Sequence, residues 1–142
     1  MKTVQQILQN KKKGVFSVRP DLSVYEALEV MMDKNISALL ITEGKVLLGI
    51  FTERDYARKI ILQGKASRDT SIKDVMSRKV ITVTLNTSIE ECMKIMTDNH
   101  IRHLPVVENS EVTGMISIGD LVKNIMEAQE ATIKQLENYI SS

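Results

Sequence analysis

Apolar residues change their period several times along the first half of the chain, and the second half repeats those changes in the same order. Val15 to Val18 reads as a short extended piece. Ser23-Val-Tyr-Glu26 has the spacing of a capping box. Val24, Ala27, Leu28, Met31 and Met32 follow at helical intervals and predict a helix with one apolar face. Ile36 to Ile41 is almost continuously apolar, as a strand buried on both faces would be. Glu43-Gly44-Lys45 is a hairpin signal, and Val46 to Phe51 is the returning strand. Thr52-Glu-Arg-Asp55 then opens a second helix carrying Tyr56, Ile60 and Ile61.

The second half runs the same way. Ile81 to Val83 is extended, and Ser88-Ile-Glu-Glu91 caps a helix bearing Ile89, Cys92, Met93, Ile95 and Met96. Arg102 to Val107 and Val112 to Ile116 are strands. The last helix begins at Ser117, and its stripe of Val122, Ile125 and Met126 continues through Ile133, Leu136 and Ile140. Moving residues 17–61 forward by 65 positions lays them on residues 82–126 without a gap, with about a quarter of the positions identical. Thr3-Val-Gln-Gln-Ile-Leu8 and Ser71-Ile-Lys-Asp-Val-Met76 form a matching pair of lead-in helices. Ser71 and Asp74 repeat the capping spacing.

The order β-α-β-β-α, twice, predicts an α/β (α+β) fold built from tandem repeats. Residues 1–70 are read as the first repeat with its lead-in helix, 71–127 as the second with a linker helix, and 128–142 as an amphipathic C-terminal helix. A repeat of about 50 residues buries too little apolar surface to stand alone. Two copies packed sheet against sheet, related by a pseudo-twofold axis, would solve that problem. They would also leave two related clefts where the strand ends meet.

Composition narrows the function. The 142 residues carry 43% hydrophobic and 26% charged side chains, an ordinary balance for a globular domain. No apolar run has the roughly 18 residues a membrane span needs, and no signal-peptide core opens the chain, so the reading is a cytoplasmic protein without a membrane partner. A net charge of +1 and 4% aromatics argue against a nucleic-acid partner. Lys11-Lys12-Lys13, the one basic block, reads as a solvated loop. The single cysteine, Cys92, falls on an apolar helical stripe and reads as a buried thiol. No nucleophile elbow, phosphate loop or metal-ligand spacing is present, so neither catalysis nor a metal is expected.

What remains is the strand-to-helix junction that occurs in each repeat. Gly49-Ile-Phe-Thr-Glu-Arg-Asp55 and Gly114-Met-Ile-Ser-Ile-Gly-Asp120 end a strand and start a helix at once. Backbone N–H groups at such a start favour a phosphate. Thr52 and Ser117 add hydroxyls. Asp55 and Asp120, one turn on, can accept from both hydroxyls of a ribose. The same spacing also fits capping boxes, so Thr52 and Ser117 are candidates for both tasks. Arg102 and His103, at a strand start, can neutralise a phosphate. Arg54 and Arg58 lie on the first turns after Thr52, facing either solvent or a phosphate. His100, at a helix end, reads as a contact with the helix dipole.

These two junctions, with Ile101-Arg-His-Leu-Pro-Val-Val107, resemble the CBS-domain pair, named after cystathionine β-synthase. The likeness spans roughly residues 3–127 and is greatest to small stand-alone bacterial pairs and their plant organelle relatives. The resemblance implies an adenosine ligand (AMP, ADP, ATP, NAD or S-adenosylmethionine) and a regulatory role read by a protein target not identifiable from the sequence. It also implies that extended pieces hold the adenine, which points to Val15, Ser17, Val80 and Thr82, with Ala38 and Pro105 on the cleft walls. Repeat one carries Ser37-Ala38 where repeat two has Arg102-His103, and Leu40 where repeat two has Pro105, so the clefts are not expected to be equivalent. The exposed apolar tail implies a homodimer assembled through helices. A structural dimer with vestigial ligand sites is the alternative function.

Overall fold

The computed structural model describes residues 2–11 and 17–141. Helix α1 (Val4–Asn10) precedes β1 (Ser17–Val18), α2 (Val24–Lys34), β2 (Ala38–Glu43) and β3 (Val46–Thr52). Helix α3 (Glu53–Asp55) continues without a break into π-helical turns at Tyr56–Ile61. A single 3-10 turn at Ile72–Asp74 leads into α4 (Ile89–Asn99), β4 (His103–Glu108), β5 (Glu111–Ser117) and α5 (Ile118–Ser141). The second lead-in segment is thus one turn where the sequence predicted a helix. The extended piece at 81–83 forms one isolated parallel bridge, Val83 to Val106, instead of a strand.

Local chemistry explains the boundaries. Ser23 Oγ accepts from the Glu26 N–H while Glu26 Oε1 accepts from the Ser23 N–H, closing the capping box of α2. Ser88 Oγ accepts from the Glu91 N–H at the equivalent place. Both helices end on a left-handed residue, Asn35 and His100, each at φ 54°.

Two cores form, and they exchange lead-in segments. Val4 and Ile7 of α1 are buried with Val83, Ile89, Leu104, Val106, Ile116 and Leu121 of the second half. Ile72, Val75 and Met76 are buried with Val24, Leu39, Ile41 and Phe51 of the first. The exchange ties each half to the other's chain segment. Glycine makes it fit: a β-carbon on Gly49 would stand 2.6 Å from Met76 Sδ, and one on Gly114 2.7 Å from Leu8 Cδ1.

The strands lie in the order β1-β2-β3-β5-β4. The halves join edge to edge through one antiparallel pair, Val46 with Glu111, where the Val112 N–H donates to the Lys45 carbonyl at 2.8 Å. That edge pairing was not foreseen. The hairpin ends reach past the cores and meet there. Ala38 and Leu40, on the face of β2 opposite Leu39 and Ile41, are also buried yet belong to neither core. By the period of two along a strand they look away from the helices covering their own half. The joint between halves is therefore also a packed apolar face.

Candidate functional site

One cavity of about 760 Å³ opens between the halves, within the size range of small-molecule sites. Three chain segments wall it. The β3–α3 junction contributes Thr52, Arg54 and Asp55, with Arg58 and Lys59 beyond. The segment between the halves contributes Ser77, Lys79, Val80 and Ile81. The start of β4 contributes Arg102 and His103, beside His100 and Ser37.

Asp55 is at the floor. Its Oδ2 accepts from the Thr52 N–H at 3.0 Å and from Thr52 Oγ1 at 3.2 Å, and Thr52 Oγ1 accepts from the Asp55 N–H. Its Oδ1 accepts from Ser77 Oγ at 3.0 Å, and Lys59 Nζ stands 3.4 Å away. The capping box and the cavity wall are therefore one structure. With 14% of the side chain exposed, Asp55 still borders the hollow. A ligand hydroxyl would reach Oδ1 by replacing Ser77 or Lys59.

Few backbone donors at this helix start are free. The Glu53 N–H donates to the Ser37 carbonyl at 3.2 Å, and the Asp55 N–H is taken by Thr52. The second junction repeats the arrangement, with the Ile118 N–H on the Arg102 carbonyl at 2.9 Å and the Asp120 N–H on Ser117 Oγ. The N–H groups that the sequence reading offered to a phosphate are thus engaged within the protein.

The cavity also holds cationic side chains. The side chains of Arg54, Arg58, Lys79 and Arg102 make no ion pair or hydrogen bond among the described residues, and all four residues line the cavity. His103 sits at the joint, its Nε2 3.4 Å from Ser37 Oγ of the other half. Burial, with Lys11 and Arg102 adding to it, lowers the imidazole pKa below its usual value against an opposing pull from Asp120, so the ring is neutral at pH 7.

The structure brings seven sequence-predicted residues into this cavity: Thr52, Arg54, Asp55, Arg58, Val80, Arg102 and His103. Thr82 is exposed and lies outside its lining, because the segment leaves the wall after Ile81. Ala38 and Pro105 are buried in the joint instead of on this wall. Ser17 lies on β1 beside Leu40, away from the cavity. Ser117 and Asp120 lie at the second junction. There Lys11 Nζ donates to Asp120 Oδ2, so the basic block is not simply solvated. Val15, Lys12 and Lys13 fall outside the described residues. Lys59, Ser77, Lys79 and Ile81 were missed. Ser77 and Lys79 could have been found by extending the lead-in match, which places Lys79 opposite Lys11. Cys92 is buried, and desolvation, aided by Glu91, raises its thiol pKa to about 11, in keeping with a packed, unreactive side chain. Among the described residues no cluster of ligating side chains could hold a metal ion.

Comparison with known proteins now decides the family. The CBS domain profile matches residues 4–62 and 72–127. This chain belongs to the CBS-domain family. A mitochondrial CBS domain-containing protein of Arabidopsis thaliana, CBSX3, is 38% identical over 97% of this chain and 71% of its own. A Burkholderia ambifaria structure, described as a signal-transduction protein with CBS domains, is 43% identical with a TM-score of 0.85, covering 90% of this chain and 96% of that one. The CBS domain pair of protein MJ0100 is 26% identical with a TM-score of 0.76, covering 87% and 99%. It was solved with 5′-methylthioadenosine and S-adenosyl-L-methionine. The mixed α/β pair of repeats is thus the CBS-pair fold. No helix among the described residues is long and apolar enough to cross a membrane.

Proposed function

We propose that this CBS pair is a sensor that binds an adenosine-containing ligand between its repeats and passes the occupancy on as a change in their packing. The observation that carries the reading is the convergence in one cavity of Thr52 and Asp55 from one repeat, Arg102 and His103 from the other, and Val80 from the segment between. A ligand that contacts all three segments binds one arrangement of the halves better than any other, and that difference shifts the population. The ligand seen in the MJ0100 pair supports an adenosine moiety. Asp55 is the ribose acceptor in this reading, Val80 and Ile81 flank the adenine, and Arg102 faces phosphate. The protein acts as a regulator without turnover or metal, in the cytoplasm or, as for the plant relative, in an organelle.

A homodimer is part of the proposal. Met126, Ile133, Leu136 and Ile140 of α5 are all more than half exposed. A second function, a structural dimer whose ligand sites are vestigial, is favoured at one place only, where Lys11 already occupies Asp120.

Thermal unfolding with adenosine, AMP, ADP, ATP, NAD and S-adenosylmethionine tests the sensor reading. Wild type should gain stability with at least one of them, and Asp55→Asn should lose most of that gain. No shift at millimolar ligand would leave the structural-dimer function standing. Native mass spectrometry of freshly purified protein would show the retained ligand and the chain stoichiometry together.

A further inference from the structure

We infer that the cavity at Asp55 selects adenine nucleotides with two or more phosphates over AMP, and excludes the cationic S-adenosylmethionine; this rests on the adenosine reading above. Five cations, Arg54, Arg58, Lys59, Lys79 and Arg102, line the cavity against two carboxylates, Asp55 and Glu53. Lys59 is committed to Asp55, the Val75 carbonyl and Ser77. The other four cations have no partner among the described residues. Unpaired cations from three separate segments facing one hollow form an electrostatic site for a multiply charged anion. A phosphate chain carries more negative charge than a single phosphate and presents it to more of the cations on these three walls. S-adenosylmethionine carries a sulfonium in place of phosphate and would meet like charge. His103 is neutral and adds no charge to the count.

Among the described residues the second junction carries less of this charge. The internal match sets Gly119 opposite Arg54 and Ser37 opposite Arg102, leaving Lys123 opposite Arg58. Lys11, the counterpart of Lys79, is spent on Asp120 and the Met115 carbonyl. Among the described residues the Asp55 cavity combines a hollow, a ribose acceptor and four unpaired cations, whereas the carboxylate of the second junction is already engaged by Lys11, so the Asp55 cavity is the expected site of the phosphate-rich nucleotide.

Isothermal titration of the full chain, without divalent cations, with adenosine, AMP, ADP, ATP, GTP and S-adenosylmethionine tests the inference. ADP and ATP should bind at least about tenfold tighter than AMP, the advantage shrinking at high salt. Arg54→Ala and Arg102→Ala, both at exposed side chains, should each lose about tenfold for ATP while leaving adenosine binding and the melting temperature unchanged. AMP binding as tightly as ATP, or S-adenosylmethionine binding as tightly as ADP, would overturn the charge selection and leave the adenosine reading intact. If nothing binds, or GTP binds as well as ATP, the adenosine reading itself fails.

Discussion

Lys11 Nζ lies 2.9 Å from Asp120 Oδ2 and 2.7 Å from the Met115 carbonyl, and so takes over two contacts that Ser77 makes in the other repeat. There the Ser77 N–H donates to the Ile50 carbonyl at 2.8 Å and its Oγ to Asp55. The difference begins in the lead-in segments. Helix α1 keeps its turn to Asn10, which carries the chain away from β5 and leaves Met115 to a long side chain. The 3-10 turn stops at Asp74 and lets Ser77 run against β3. Equivalent carboxylates are thus held by the Ser77 hydroxyl with the Lys59 ammonium at 3.4 Å in one half, and by the Lys11 ammonium at 2.9 Å in the other.

Lys11→Met should show what that ammonium does. The substitution keeps the aliphatic stem but removes the ammonium from the Met115 carbonyl and from a partly buried carboxylate that keeps the Ser117 N–H, at a cost of roughly 1 to 3 kcal/mol at pH 7. Burial pushes the Asp120 carboxyl up, yet hydrogen bonds from Lys11 and Ser117 and the charge of Lys11 outweigh it and hold the pKa below its ordinary 3.8. The ionised carboxylate therefore contributes stability that is complete above that value and lost as pH falls through the folded-state pKa. The gap between wild type and variant in denaturant unfolding should be widest at neutral pH and narrow towards pH 3, leaving the part due to the Met115 carbonyl. A constant gap across that range would remove the ion pair as the cause.

His103 should couple ligand to protons. Its pKa is lowered by burial, then by Lys11 and Arg102, with Asp120 opposing and Ser37 Oγ at the ring. A lowered histidine supports the fold fully above its ordinary 6.5 and withdraws that support as pH falls through the folded-state value. A phosphate chain beside Arg102 brings negative charge to the ring and raises its pKa. ATP binding near pH 6 should then take up protons, visible as a buffer-dependent heat in calorimetry, and His103→Gln should abolish the uptake. Buffer-independent heats in wild type would place the phosphates elsewhere.

The two strand glycines should respond unequally to alanine. At Gly49 a β-carbon would meet Met76 Sδ at 2.6 Å and the Ser77 carbonyl oxygen at 2.9 Å. Backbone cannot swing aside as a side chain can, so Gly49→Ala should cost roughly 1 to 3 kcal/mol and push the 77–81 wall outward, weakening nucleotide binding. At Gly114 the three nearest atoms all belong to the Leu8 side chain. Relief by a rotamer change, with the lower unfolded-state entropy of alanine, should leave Gly114→Ala within about 1 kcal/mol of wild type. Melting curves of the two variants decide it, and equal losses would mean that Leu8 is as immobile as the Ser77 backbone.

What the sequence revealed follows from which signals are local. Period, capping spacing and the hairpin depend on neighbours a few residues apart, so Ser23 with Glu26 and Thr52 with Asp55 could be placed directly. The internal match supplied two halves with a strand-to-helix junction in each, but not that Arg102 of one half would face Asp55 of the other. Ser77 and Lys59 were invisible because their roles are fixed by where the linker runs, and linker geometry has no period. Lys11 read as a loop lysine because its partner is far along the chain. The π-helical turns at Tyr56–Ile61 had no signal either, since their apolar spacing fits an ordinary helix.

The stripe along α5 carries the final prediction. Val122, Met126, Ile133, Leu136 and Ile140 recur at spacings of four, seven, three and four, the seam of a two-helix coil. All five are exposed, and Ile140 is 81% exposed. The family match ends at residue 127, so Ile133 and the residues after it are an addition to the pair and contribute to neither core. A second copy is the partner that fits. In an antiparallel pairing that sets Met126 against Leu136, Lys123 comes near Glu137 and Ile125 near Tyr139, joining opposite charges and apolar surfaces on the flanks. Covering each large apolar residue contributes about 1.5 to 3 kcal/mol. The double variant Ile133→Glu, Leu136→Glu places charge in the seam and should halve the mass measured by light scattering. No residue of α5 lines the Asp55 cavity, so ADP binding should persist. An unchanged mass would show that the copies, if they associate, do so through the repeats alone.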